Sequence, residues 1–165
     1  RPTPPMSQEK LREILDLCRP EYADYFMILI HTGMRSAEVD SLEIVVHEGV
    51  RCYSVTKSKT SAGVRLVPIH PTISNIDIST LPKSLTVRSW IQYNMKQGRL
   101  ELPERVGLHS LRVNFITSML SAGVEERLVS RLVGHSAGTI TRHYDRGDIK
   151  QLHEAVLQLP DPTSM

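Results

Sequence analysis

The chain has 165 residues, a formal charge of +2 and two cysteines, Cys18 and Cys52. That length makes one domain able to bury most of its apolar surface, and two cysteines give neither a disulfide framework nor a zinc spacing, so they read as reduced thiols of an intracellular protein. No apolar run approaches a membrane span and no signal peptide opens the chain; so small a charge does not argue for nucleic acid, and any basic surface has to come from the arginines clustered between Arg105 and Arg146.

The opening RPTPPMS is proline-rich, so residues 1–6 read as a linker, 7–159 as the folded body and 160–165 as a tail. Ser7 is the expected N-cap of a helix to about Cys18, with Lys10 at the box position. Pro20 admits a second helix over Glu21–Thr32, apolar on most sides through Tyr22, Phe26, Ile28, Leu29 and Ile30, with Gly33 as its stop. A short helix follows from Ser36 to Ser41. The period then changes. EIVVHEGVRCYSVTKSKTSAGVRLVPI is rich in β-branched residues and broken at Glu48-Gly49 and Ala62-Gly63, which predicts three antiparallel strands joined by two turns and ending at Pro68. Residues 70–83 are loop, with Pro71 and Pro82 as breakers. A helix around Leu85–Lys96 carries Trp90, and three or four short helices lead to Leu159. The fold class is α+β, mainly helical, with one small three-stranded antiparallel sheet.

Winding residues 108–121 as an α-helix puts Leu108, Leu111, Phe115, Ile116, Met119 and Leu120 on one arc, with His109 and Arg112 inside it. Ser110, Asn114, Thr117, Ser118 and Ser121 fill most of the other arc. An arginine on an apolar arc needs an acidic partner, a carbonyl cage or an anionic ligand. The helix start favours anions, which suits the third choice. Taken alone, H-x-x-R is explained by an Arg–carboxylate pair and a satisfied core histidine. Arg35, just past the Gly33 stop, has an ordinary reading as a surface arginine paired with Glu38. His135 follows Gly134, the stop of a helix with Val124, Leu128, Val129, Leu132 and Val133 on its apolar face; alone it is a capping residue. Tyr144 alone is a half-buried packing residue. Lys57 and Lys59 alone are a solvated turn.

Their order carries more than any one of them. TGMRSAE at 32–38, TKSKTSAGVRLVPI at 56–69, LHSLR at 108–112, LVGHS at 132–136 and a tyrosine at 144 succeed one another. From about Ser7 to Leu157 the chain resembles the C-terminal catalytic domain of the tyrosine recombinases, or phage integrases. The resemblance implies site-specific strand cleavage and rejoining through a 3′-phosphotyrosyl intermediate, without metal or ATP. It implies Tyr144 as nucleophile, with Arg35 and Arg112 on the scissile phosphate. His109 would accept or relay the tyrosine proton, and His135 would donate a hydrogen bond to the phosphate. A hairpin lysine would protonate the departing 5′ oxygen; Lys59 fits the strand–turn–strand spacing better, and Lys57 is the alternative. Glu38 matches a commonly acidic position that supports Arg35. No cofactor is implied, and a zinc reading of His109, His135 and His143 lacks a carboxylate or cysteine at ligand spacing.

The implied partner is a double-stranded DNA attachment site, bound mainly through phosphates. Lys57, Arg65, Arg88, Arg131 and Arg142 are the candidates for it, with Lys83, Arg99 and Arg105 as further basic residues. The family's N-terminal core-binding domain is missing from the sequence, and the proline-rich start fits an inter-domain linker. The resemblance also implies a synaptic tetramer on DNA, an isolated domain that is monomeric, no membrane, and a cytoplasmic, nucleoid-associated location in a bacterial or phage-host cell. The stripe Ile149, Leu152, Val156 and Leu157 packs on its own domain or passes to a neighbouring protomer. A type IB topoisomerase-like nicking–closing enzyme shares the active-site logic, and a catalytically silent DNA-binding module is the reading from outside the enzymes.

Overall fold

The computed structural model describes residues 1–135 and 148–164. Helix α1 spans Gln8–Leu17, with the Ser7 hydroxyl accepting the Lys10 N–H as expected of its N-cap. Pro20 sits at the first position of α2 (Pro20–Thr32), where its missing N–H costs nothing. Tyr25, Phe26, Ile28, Leu29 and Ile30 are all buried, so α2 is the central rod of the core. Each such side chain contributes about 1.5–3 kcal/mol on leaving water. Tyr22 and Phe26 close the core on one side by packing their rings against Trp90.

Gly33 ends α2 at φ +68°, a left-handed conformation, and its N–H returns to the Leu29 carbonyl. The chain turns through a 3₁₀ helix, Ser36–Ser41, into strand β1 (Leu42–His47). Glu48 and Gly49 both have positive φ, the geometry of a tight hairpin turn, and lead into β2 (Val50–Val55). A single 3₁₀ turn, Ser61–Gly63, precedes β3 (Arg65–Pro68). The sheet is a meander of order β1-β2-β3, antiparallel throughout, with Leu42 opposite Val55 and Val55 opposite Arg65. That register sets Arg65 beside the end of β2, where the lysine-bearing loop begins.

The predicted loop 70–83 contains two single 3₁₀ turns, Pro71–Ile73 and Ile78–Thr80. Helix α3 (Ser84–Lys96) has no cap of its own; Asp40 reaches across from the 3₁₀ helix and accepts both the Ser84 N–H and hydroxyl. Helices α4 (Leu108–Ser121) and α5 (Glu126–Val133) follow, and α4 lies along α2. Gly134 ends α5 at φ +75°, again left-handed. Leu128, Val129, Leu132 and Val133 are buried as expected, and Val124 is half-buried.

Helix α6 (Asp148–Val156) docks on its own chain, against β3, β2 and α5, through Ile149, Leu152, Ala155 and Val156. Leu157 departs from the expected stripe: it follows the helix and is exposed. Both ends of the described chain fold onto one face. The Met6 backbone makes a pair of hydrogen bonds with the Asn114 side-chain amide, at 2.9 and 2.8 Å. Arg12 holds the Thr163 carbonyl. A shallow hollow there is lined by Pro5, Met6, Leu159, Pro160 and Pro162.

Candidate active site

Helix ends build the site. Arg35 stands at the N-cap position of the 3₁₀ helix, where its N–H donates to Glu38 Oε1 at 2.8 Å. The backbone is thereby fixed, and the guanidinium is left to turn inward. Its Nη1 lies 3.6 Å from Glu38 Oε2, within ion-pair reach but too far for a hydrogen bond, and is buried without a hydrogen-bond partner.

Arg112, one turn into α4, is 2% exposed. Its Nη1 donates to the Gly33 and Val133 carbonyls, at 2.9 and 2.7 Å. These carbonyls stand at the C-terminal ends of α2 and α5, the negative ends of two helix dipoles. Nη2 is buried with no partner. Burial, then the charges of Arg35 and Arg65, bring its pKa down to about 10. Of the three arrangements the sequence allows for this residue, the carbonyl cage is the one present, and it uses only half of the fork.

The third arginine is Arg65. It was expected to contact DNA; its guanidinium is instead fully enclosed, because the Val55–Arg65 register turns it into the protein. Nη1 and Nη2 grip the two Glu38 oxygens at 2.9 and 3.0 Å, Nε donates to the Leu132 carbonyl at 2.7 Å, and Nη1 also meets the Gly63 carbonyl. A bidentate pair of this kind is the strong form of an Arg–carboxylate contact. Glu38 is therefore buried chiefly by Arg65, and it supports Arg35 through the backbone. Burial would raise its pKa, but Arg65, Ser58 and the Arg35 N–H together hold it below the usual carboxylate value. Glu38 thus pairs with Arg65 and Arg35, and only its charge acts on Arg112.

His109 also departs from expectation. The helical wheel placed it on the apolar arc, yet it is exposed, because it lies at the edge of that arc, while Leu108 and Leu111 of the same turn are buried in the core. Ser110, wheeled to the polar side, is fully buried and uses its hydroxyl to accept the Gly107 N–H. Leu120, wheeled to the apolar side, is exposed. Partial burial pushes the His109 imidazole below its usual value, and Arg112, Arg35, Arg88 and Lys59 add to the effect. His135, directly after the α5 stop, is lowered by burial and then by Arg112, Arg35 and Arg65. The two imidazoles therefore face the same positive field.

Lys57 and Lys59 are both exposed on the loop after β2, and Lys59 is the one whose charge acts on His109. Arg88 reaches from α3 to the Ser36 hydroxyl at 3.0 Å, at the rim beside Arg35. Arg131, another expected DNA contact, pairs with Asp148 across the α5–α6 junction. Lys83 meets the Asp40 carbonyl, Arg99 stacks on Tyr93, and Arg105 holds the Pro2 carbonyl. Tyr144, Arg142 and His143 lie outside the described residues. No group of three His, Cys, Asp or Glu residues among the described ones is arranged to hold a metal.

The fold is that of an integrase catalytic domain. The integrase of mycobacterium phage Brujita superposes with a TM-score of 0.61 over 99% of this chain and 61% of that one, at 20% identity. The Tn1549 transposon integrase, solved in complex with transposon right-end DNA, superposes at 0.52 over 82% of this chain and 59% of that one, at 19% identity. In sequence, a 65-residue stretch is 37% identical to the tyrosine recombinase XerA of Pyrococcus furiosus; it covers 39% of this chain and 21% of that protein. No protein-family model matches the chain. In fold and in sequence, then, the chain resembles the tyrosine recombinases and integrases.

Proposed function

We propose that this chain is the catalytic domain of a site-specific DNA recombinase that cleaves and rejoins strands through a phosphotyrosyl ester on Tyr144. The observation that carries the reading is the pair of buried guanidinium nitrogens that have no hydrogen-bond acceptor, Arg35 Nη1 and Arg112 Nη2, in a cage with one carboxylate. Buried donors without acceptors are costly, and an anion removes the cost. A phosphodiester gains charge on its non-bridging oxygens in the transition state, so donors waiting there stabilise that state more than the ground state.

The remaining roles follow from charge and position. His109 has a lowered pKa and is largely neutral at pH 7, the form that accepts a proton. It takes or relays the proton of the Tyr144 hydroxyl, which is too weak a nucleophile unassisted. His135, also lowered, keeps one ring N–H to offer the phosphate. Lys59, an ammonium on the same side as His109, gives its proton to the departing 5′ oxygen. The ester on Tyr144 conserves the bond energy for religation, so neither ATP nor a metal enters. Lys57 and Arg88 are left to hold flanking phosphates, and Arg142 is assigned there from sequence alone. Double-stranded attachment sites are the substrate, and synapsis brings four protomers together on them.

The test is covalent trapping. The chain and its Tyr144→Phe variant are incubated with nicked suicide duplex carrying the element's own attachment site, without added metal. An SDS-resistant protein–DNA band that vanishes with phenylalanine is expected. A band that persists names the wrong nucleophile. Binding without a band favours a catalytically silent module.

A further inference from the structure

We infer that Ser58 is a positioning residue for the proton-donating lysine: its hydroxyl pins the lysine loop to the buried Glu38–Arg65 pair and so sets where Lys59 stands. This rests on the recombinase reading above. The Ser58 hydroxyl donates to Glu38 Oε2 at 2.5 Å, between two exposed lysines. The loop is held a second time at Gly63, whose carbonyl accepts from Arg65 Nη1. Both attachment points therefore fall on one ion pair, and that pair also fixes the Arg35 N–H and the Leu132 carbonyl of α5.

The packing has no slack at this point. A Cβ on Gly63 would lie 1.8 Å from Ser58 Oγ and 3.1 Å from Glu38 Oε2. One on Gly134 would lie 2.8 Å from the Gly63 Cα. Glycine at 63 and 134 thus lets the loop press onto the end of α5, where Ser58 can reach a carboxylate that lies below the surface. Alternation along the loop then turns Lys57 and Lys59 outward on either side of Ser58. Lys59 is the one that acts on His109, which is why the clasp bears on Lys59.

Ser58 can be removed without stranding its partner. Glu38 keeps Arg65 on both oxygens at 2.9 and 3.0 Å, so Ser58→Ala is expected to fold. The test separates placement of the acid from general damage. Two suicide duplexes are compared: one with the ordinary 5′ bridging oxygen, one with sulfur in its place. Sulfur leaves as a thiolate and needs no proton from Lys59. On the oxygen duplex, Ser58→Ala slows adduct formation about tenfold, and Lys59→Ala by about 10²–10⁴-fold, the usual range for losing a general acid. On the sulfur duplex both recover to near the parent rate. The double variant is no slower than Lys59→Ala alone, because the serine acts through the lysine. An equal deficit on both duplexes, or none on oxygen, overturns the inference. If the parent chain forms no adduct on either duplex, the recombinase reading fails first and takes this one with it.

Discussion

Exchanging Arg112 for lysine replaces a fork that spans two carbonyls and keeps one nitrogen free by a single point charge. Lysine can satisfy the carbonyls of Gly33 and Val133 or reach the phosphate, and not both. Adduct formation is expected to fall by about 10²–10³-fold, the cost of losing one preorganised oxyanion donor. Affinity for the same duplex should change far less, since one phosphate contact among several is weakened. A loss in affinity as large as the loss in rate would count against a transition-state role. The sequence made Arg112 conspicuous, because a cation on an apolar arc demands a partner. For Arg65 it suggested a DNA contact and gave no sign of the buried pair with Glu38. A lone arginine opening a strand looks like surface, and its partner Glu38 is 27 residues away. His109 differs for another reason: it lies at the edge of the apolar arc, beside Leu120, and both side chains are exposed while Leu108 and Leu111 of the first turn are buried.

At the scale of elements, the two left-handed glycines that end α2 and the β1–β2 turn make a controlled comparison. Gly33 has φ +68°, and a Cβ there would lie 2.5 Å from Phe115 Cδ1 and 2.8 Å from Val133 Cγ1. Gly49 has φ +79° and open space around it. Alanine at 49 therefore meets backbone strain alone, about 1 kcal/mol. Alanine at 33 adds overpacking of the α2–α4–α5 junction, about 1–3 kcal/mol more. It should also move the Gly33 carbonyl that holds Arg112. Denaturant midpoints of the two variants check the difference; equal losses would mean the junction yields freely. Elements of this kind were legible because Gly33, Gly49, Gly134, Pro20 and Pro68 punctuate the chain where the period changes. The cap of α3 was not, since Asp40 serves it from 44 residues upstream.

For the molecule as a whole, acid should act in two stages. His31, His70, His109 and His135 all have lowered pKa values, with burial as the first cause of each. Below about pH 6.5 the unfolded chain therefore binds more protons than the folded one. Stability is full above that pH and is lost as pH falls toward the folded values. Glu38 is lowered as well, but as an acid its contribution persists above its ordinary value of 4.5 and disappears only as pH falls through the lower folded one. Urea midpoints at pH 7.5, 6 and 5 should decline with an unchanged slope, before the carboxylate is touched. A midpoint that stays flat down to pH 5 would contradict the lowered pKa values of these imidazoles.

Because Met6 is tied to α4 and Thr163 to α1, the beginning and end of the described chain meet over one hollow. The order in which the polypeptide is strung is therefore separable from the shape it takes. A short Gly/Ser bridge between the two ends, with new termini opened between Glu48 and Gly49, preserves every contact described around Glu38. Such a permuted chain is expected to unfold in one cooperative step with the parent's far-ultraviolet spectrum. The cage would then be a property of packing that survives rewiring, with the strand meander free to be entered from its far turn.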